Sequence, residues 1–248
     1  MVPTVIEVAF AGLATALATG LGALPVGRAG AQALGLRAGL LGAAGGAMVV
    51  VSVLGLLVPA LEDGSSGEVA LGLAAGVGLL LVARAMLRAR GLHDVRLGTA
   101  GRRRAALVFL VLFVHSLPEG LAIGSAWASE REGLGLFVLL AIALQNVPEG
   151  TVTAIPLALE GAGRGRQVAA AIGTSLPQPL GAVLAFLLVE EIAGLLPVSF
   201  AFAAGAMLAL VATDVAPDAW RSGDRVHAVA GAAAGAALMV AFAVLLGV

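Results

Sequence analysis

Cysteine is absent from the 248 residues. That excludes disulfides, thiolate nucleophiles and sulfur-rich metal sites, and leaves the redox compartment unread. Lysine is absent too: all fourteen basic residues are arginine. No G-x-x-x-x-G-K-[ST] phosphate loop can therefore form, so the chain does not itself couple ATP hydrolysis to work. Charge of either sign is scarce, at 12% of residues against 60% hydrophobic and a mean hydropathy of +1.06. Those values lie outside the range of soluble domains and read as an all-α, polytopic membrane protein with the lipid bilayer as its surroundings. Nothing in the composition points to nucleic acid.

Eight apolar runs follow one another at about residues 5–24, 40–61, 69–86, 105–127, 134–159, 168–189, 195–215 and 226–248, within a single transmembrane domain, 1–248. Each is near the ~20 residues needed to cross a bilayer. The first run has no basic n-region and carries Glu7, which argues for a retained span and against a cleaved signal peptide. Thirteen of the fourteen arginines fall after spans 1, 3, 5 and 7: Arg28 and Arg37, then Arg84 to Arg104, then Arg164 and Arg166, then Arg221 and Arg225. The positive-inside rule puts that side in the cytoplasm and both termini outside, leaving Arg131 outside among acidic residues such as Glu62 and Asp63. The run Arg102 to Arg104 reads as a topology anchor that also suits anionic lipid.

Two hexapeptides thirty residues apart organise the chain: His115-Ser116-Leu117-Pro118-Glu119-Gly120 in span 4 and Gln145-Asn146-Val147-Pro148-Glu149-Gly150 in span 5. Ionisable side chains at membrane depth are costly, so a carboxylate kept there marks a function. His115 and Glu119 are four apart, as are Gln145 and Glu149, and such pairs share one helix face. Each helix thus offers two ligands to one side, and no basic residue within either span supplies a counter-charge. A divalent cation or bound protons would. Pro118 and Pro148 deprive the carbonyls of Val114 and Leu144 of their helical donors, so each helix is expected to loosen and kink there. Such interrupted spans suit a protein-lined ion site. A structural reading stands beside the functional one for each polar residue: Gln145 and Asn146 also serve as hydrogen-bonding links across helices.

Further along, Gly46-Ala47-Met48 with Pro59 in span 2 is echoed by Gly205-Ala206-Met207 with Pro217 in span 7. Spans 2 and 7 run in opposite directions, as do spans 4 and 5, so both echoes fit an inverted repeat arranged 3 + 2 + 3. Asp214 and Asp218, at the cytoplasmic end of span 7, read either as solvated helix-end charges or as an exit relay for an ion. His93-Asp94 and His227 lie in or beside loops, where a single histidine carries no assignment. Met207 reads as packing.

The two P-E-G hexapeptides, the eight spans, the basic loop after span 3 and Ile155-Pro156-Leu157 behind the second hexapeptide resemble the ZIP (Zrt- and Irt-like protein) family of divalent metal transporters, bacterial type. The resemblance covers nearly the whole chain and implies metal uptake into the cytoplasm across a bacterial inner membrane, by a homodimer. It implies metal ligands at His115, Glu119, Gln145 and Glu149, two further ligand positions at Ser116 and Asn146, and another at Gln178, between Pro177 and Pro179. A looser likeness adds Met48 near the entrance. Ser116 stands where the family usually has Asn, and Gln178 where many members carry Glu. Nitrogen and oxygen ligands without sulfur suit Zn2+ and equally Co2+, Fe2+, Mn2+ or Cd2+. No enzyme is expected: an intramembrane metalloprotease would want an H-E-x-x-H helix, which is lacking, and a metal sensor would want a longer soluble segment.

Overall fold

A computed structural model describes the backbone of residues 4–26, 34–89, 102–129, 131–192, 194–221 and 224–248. Arg28, Arg90, His93, Asp94 and Arg96 lie outside the described residues, as do the side chains of Arg88 and of Arg102 to Arg104. All regular structure among the described residues is helical. In chain order the elements are α1 (Val5–Ala23), α2 (Leu34–Val50) continued by a π-helical stretch (Val51–Leu57) and α3 (Val58–Asp63), α4 (Ser66–Ala89), α5 (Arg102–Ala128), α6 (Leu134–Leu159), α7 (Arg164–Thr174), α8 (Pro177–Glu191), α9 (Leu195–Leu210) continued by a second π-helical stretch (Val211–Val215) and α10 (Ala216–Arg221), and α11 (Arg225–Leu246). Seven helical segments among the described residues are long and apolar enough to cross a membrane, and α5 carries the first hexapeptide over 27 residues. Large apolar side chains such as Phe10, Leu71, Leu180, Val226 and Leu245 face outward, as lipid contact requires and water would penalise.

Local chemistry explains where the helices start and break. Thr4 and Glu7 form a reciprocal capping box on α1: the Glu7 N–H donates to Thr4 Oγ1 at 3.3 Å and the Thr4 N–H to Glu7 Oε2 at 2.7 Å. Glu7, an unexpected charge in an apolar run, is thus a cap. Ser65 and Glu68 repeat the device ahead of α4. Asp224 caps α11, accepting from the His227 N–H at 3.1 Å while its other oxygen lies 2.7 Å from His227 Nδ1. Those bonds hold the Asp224 carboxyl below its ordinary pKa. Each π-helical stretch ends just before a proline, Pro59 or Pro217. Proline cannot donate to the carbonyl four residues back and its ring crowds that carbonyl, and a wider turn accommodates both defects.

The sixth apolar run departs from expectation. Instead of one helix over 168–189, the chain forms α7 and α8, parted at Ser175-Leu176. Pro177 opens α8 at a position where the missing N–H is harmless, and Gln178 follows it directly. By contrast α5 runs through Pro118, and α6 through Pro148 and Pro156, as continuous helices.

Helices pair as α1 with α6, α5 with α8, α2 with α11 and α4 with α9. The main apolar core includes Met48, Phe137, Ile142, Phe186, Phe200 and Met207, so both methionines of the repeat serve packing. The first two pairs meet at the glycines of the hexapeptides. A Cβ on Gly150 would stand 1.7 Å from the Thr19 carbonyl oxygen of α1, and one on Gly120 would stand 2.3 Å from the Gln178 carbonyl oxygen of α8. In lipid, where apolar burial drives no association between helices, backbone approach of this kind supplies the packing. Gly150→Ala and Gly120→Ala are each expected to lower stability by about 1–3 kcal/mol, the range for overpacked sites. Gly78→Ala, with nothing within 4 Å of the added carbon, should be neutral or slightly stabilising. Thermal unfolding in detergent reads the difference, and equal midpoints for all three would contradict the packing account.

Candidate metal centre

The polar residues of the hexapeptides converge where α5, α6 and α8 meet α1. Glu119 is 1% exposed, and both of its carboxylate oxygens accept from carboxamides. Gln145 Nε2 on α6 donates to Oε1 at 2.8 Å, and Gln178 Nε2 on α8 donates to Oε2 at 2.6 Å. Ser116, one turn back on α5, hydrogen-bonds to the same carboxylate. Distances this short are typical of hydrogen bonds to a charged acceptor.

A second layer joins the amides to one another. Asn146 Nδ2 donates to Gln178 Oε1 at 3.0 Å and to the Thr15 carbonyl oxygen of α1 at 2.8 Å, while Gln178 Nε2 also reaches Asn146 Oδ1 at 3.3 Å. The break between α7 and α8 is stitched to α1 by Thr19 Oγ1 and Ser175 Oγ, 2.7 Å apart. Two buried atoms of the hexapeptides have no hydrogen-bond partner, His115 Nδ1 on α5 and Gln145 Oε1 on α6. Both are Lewis bases able to bind a cation, and a buried polar atom left unpaired costs about 1–3 kcal/mol. The second hexapeptide's carboxylate differs from the first. Glu149 is half-buried and accepts no hydrogen bond among the described residues, though Glu119 is near enough to repel it.

The structure thus gathers Glu119, Ser116, Gln145, Asn146 and Gln178 into one bonded cluster with Glu149 in electrostatic reach of Glu119, whereas His115, one turn before Glu119 on α5, is in reach of Asp214 and Arg84. Among the described residues, no three of His, Asp and Glu come close enough together to hold a metal ion. Met48 is fully buried, within the apolar core. Asp214 is not a solvated helix end: it pairs with Arg84 of α4, accepts from Thr213 Oγ1 at 2.9 Å, and lies with Arg84 inside the electrostatic reach of His115. Asp218 faces Arg221 at 3.8 Å. At the opposite end Arg131 binds Glu62 at 2.6 Å and Asp63 at 2.8 Å, which raises its pKa. Sequence reasoning missed Thr15 and Thr19. Their signal was small polar residues in an apolar span, at 15 and 19, four apart and so on one helix face.

Fold and centre together define a multi-pass helical membrane protein with a carboxylate and carboxamides sealed at membrane depth. A family model described as ZIP Zinc transporter matches residues 88–243. The zinc transporter GufA of Myxococcus xanthus is 35% identical, over 89% of this chain and 91% of that protein. The zinc transporter ZIPB of Bordetella bronchiseptica is 35% identical over 92% of this chain and 78% of its own length. A longer protein of Arabidopsis thaliana is 34% identical over 98% of this chain, which spans 39% of that protein. The chain belongs to the ZIP family, whose members are transporters and not enzymes.

Gln178 touches both Glu119 and Asn146, so Gln178→Leu should leave a buried carboxylate and a buried amide short of partners. A stability loss of about 1–3 kcal/mol is expected in metal-free detergent. An unchanged thermal midpoint would mean that the amide cluster does not hold the helices together.

Proposed function

We propose that the chain carries Zn2+ across the membrane through the cluster between α5, α6 and α8, toward the face that bears the arginine-rich loops. The observation that carries this reading is a pair of unpartnered buried Lewis bases on the hexapeptides, Gln145 Oε1 of the amide bound to Glu119 and His115 Nδ1 one helical turn before Glu119 on α5. Membership of a transporter family, with zinc transporters among the relatives, supports the substrate. Co2+, Fe2+, Mn2+ and Cd2+ fit the same donors.

For the ion to bind, the carboxamides must exchange donor for acceptor. Rotation of Gln145 or Gln178 about its terminal torsion presents Oε1 in place of Nε2, and Glu119 then trades amide hydrogens for the cation. His115 and Glu149 complete the ligand set, with Ser116 and Asn146 alongside, while Met48, fully buried in the apolar core, has a packing role in this reading. The ion leaves past His115 toward Asp214 and Asp218. The membrane potential contributes about 4.6 kcal/mol per 100 mV to inward movement of two charges, so no ATP is needed.

The architecture in this reading has eight spans, α5 being the fourth in chain order and joining the seven long apolar segments, in a 3 + 2 + 3 inverted repeat. Exchanging span 1 with 6, 2 with 7, 3 with 8 and 4 with 5 turns each observed pairing into another. The pair α2 with α11 becomes α9 with α4, and α1 with α6 becomes α8 with α5. The π-helical stretches Val51–Leu57 and Val211–Val215 also coincide under the 159-residue offset of Met48 and Met207. The positive-inside rule supports termini outside, and the working form in this reading is a homodimer in a bacterial inner membrane.

Glu119→Ala or Glu149→Ala should abolish Zn2+ uptake into proteoliposomes while the protein stays monodisperse in detergent; uptake near wild type in either variant refutes the site. Uptake should also fall as external pH drops through about 6.5, the unperturbed histidine value, because protons compete with the metal for its ligands. Peptide cleavage by the same liposomes would instead favour a metalloenzyme.

Stoichiometry follows from charge. Glu119 and Glu149 balance one divalent ion, whereas Asn146 and Gln178 donate lone pairs without charge. Anomalous scattering from crystals soaked in Zn2+ or Cd2+ should show one strong peak, with a second emerging in the Asn146→Asp, Gln178→Glu double variant. Two peaks of comparable height in the unmodified protein would contradict the charge count.

A further inference from the structure

A groove of about 270 Å³ opens on the outer surface where α2, the second π-helical stretch, α10 and α11 meet. Its lining is entirely apolar, from Leu41 and Val49 on one wall to Val215, Ala216 and Val229 on the other, with Trp220 at one end. Trp220 is 50% exposed and Val229 57%, so the groove faces outward. In a membrane-spanning bundle, that means toward lipid.

The Trp220 end of the groove is also the basic end. The Arg225 guanidinium lies 4.8 Å from the centre of the Trp220 ring, a cation–π contact. Arg221 projects beside it with a side chain 73% exposed. The acidic neighbours are already engaged: Asp224 by His227 at 2.7 Å, and Asp218 by Arg221 at 3.8 Å with Arg37 also in electrostatic reach. Arg225 has no acidic partner among the described residues. One turn before Leu41, Arg37 keeps its buried Nε without a hydrogen-bond partner. An apolar slot that ends in a tryptophan, an arginine without an acidic partner (Arg225) and an exposed arginine only loosely paired at 3.8 Å (Arg221) complements one kind of molecule, an acyl chain joined to an anionic phosphate at headgroup depth.

We infer that this groove is a binding site for an anionic phospholipid of the leaflet on the arginine-rich side, its chain along Val49, Val215 and Ala216 and its phosphate at Arg225 and Arg221. The site abuts α10 and the second π-helical stretch, so bound lipid would brace the segment that carries Asp214 and Asp218.

The test is native mass spectrometry of the delipidated protein, given equimolar phosphatidylglycerol and phosphatidylcholine. Each arginine engaged favours the anionic lipid by roughly five-fold, from about 1 kcal/mol per basic residue near the surface. Wild type should therefore retain phosphatidylglycerol preferentially, and Arg225→Gln should lose about that factor while keeping the same total of bound lipid. Ala216→Trp, which fills the groove from its exposed side, should lose both lipids while remaining monodisperse. Should that variant misfold, Val229→Trp fills the slot from α11 instead of α10. Equal retention of the two lipids by wild type, or an undiminished preference in Arg225→Gln, overturns the proposal. So does a lipid-free dimer that Ala216→Trp dissociates, which would make a second copy the occupant.

Discussion

A carboxylate withdrawn from both water and lipid has to be met by hydrogen-bond donors or by positive charge, and most of this structure follows from how Glu119 is met. No single helix can do it. Gln145 and Gln178 come from two other helices, and Asn146 ties their cluster to the backbone of a fourth at Thr15. Four helices must therefore converge at one depth with side chains of the right length. Amide donors suit the task because each carries a donor and an acceptor on one rotatable group, so the cluster satisfies a charge without committing a permanent cation to it. An arginine there would neutralise Glu119 outright and leave no role for a mobile ion.

Convergence at hydrogen-bonding distance is possible only because the backbones approach closely. Gly120 and Gly150 let α8 and α1 lie directly against the two hexapeptide helices, and each glycine is the last residue of the motif that supplies the carboxylate. The prolines act on the other side of the balance. Pro177 ends α7 and starts α8 one residue before Gln178, so the chain is interrupted where the amide is needed, as in other membrane proteins whose irregular backbone lines a site. Pro59 and Pro217 are absorbed by wider turns without breaking their rods. One residue type thus yields different local outcomes, set by whether the surrounding helix can offer an alternative bonding pattern.

Much of this was legible in the amino-acid order because it is local. The hexapeptides, the i,i+4 pairing of candidate ligands and the apolar runs all depend on residues near one another in sequence, and the echo between Met48 and Met207 is a likeness of two short local patterns. The interruption at Ser175-Leu176 could also have been read, since two prolines flank Gln178, yet hydropathy alone is indifferent to it. Glu7 counted in the sequence only against a cleaved signal peptide, and the threonine three residues earlier makes it a cap. What the sequence could not disclose is long-range. That Asn146 finds the Thr15 carbonyl, that Thr19 meets Ser175, and that Asp214 is taken by Arg84 from another helix depend on which faces meet. A list of polar residues does not contain that information.

The two hexapeptides occupy matching places but not matching chemistry, and the difference bears on how an ion could pass. Gln178 lies against Gly120 as Thr19 lies against Gly150. Gln178 is long enough to reach Glu119, whereas the Thr19 hydroxyl turns to Ser175 and to the Thr15 carbonyl oxygen, leaving Glu149 without an amide. In the proposed site Glu119 is therefore a ligand held in reserve and Glu149 a ligand already free. In the proposed cycle an incoming cation meets Glu149 without first breaking a hydrogen bond, then displaces the amides of Glu119, each bond to that charged acceptor being worth about 1.5–3 kcal/mol. When the ion moves on, the same amides close again on Glu119 and recover that energy. The cluster thus competes with its own substrate, which keeps a buried two-carboxylate site from becoming a trap and lets a strongly attracted divalent ion leave.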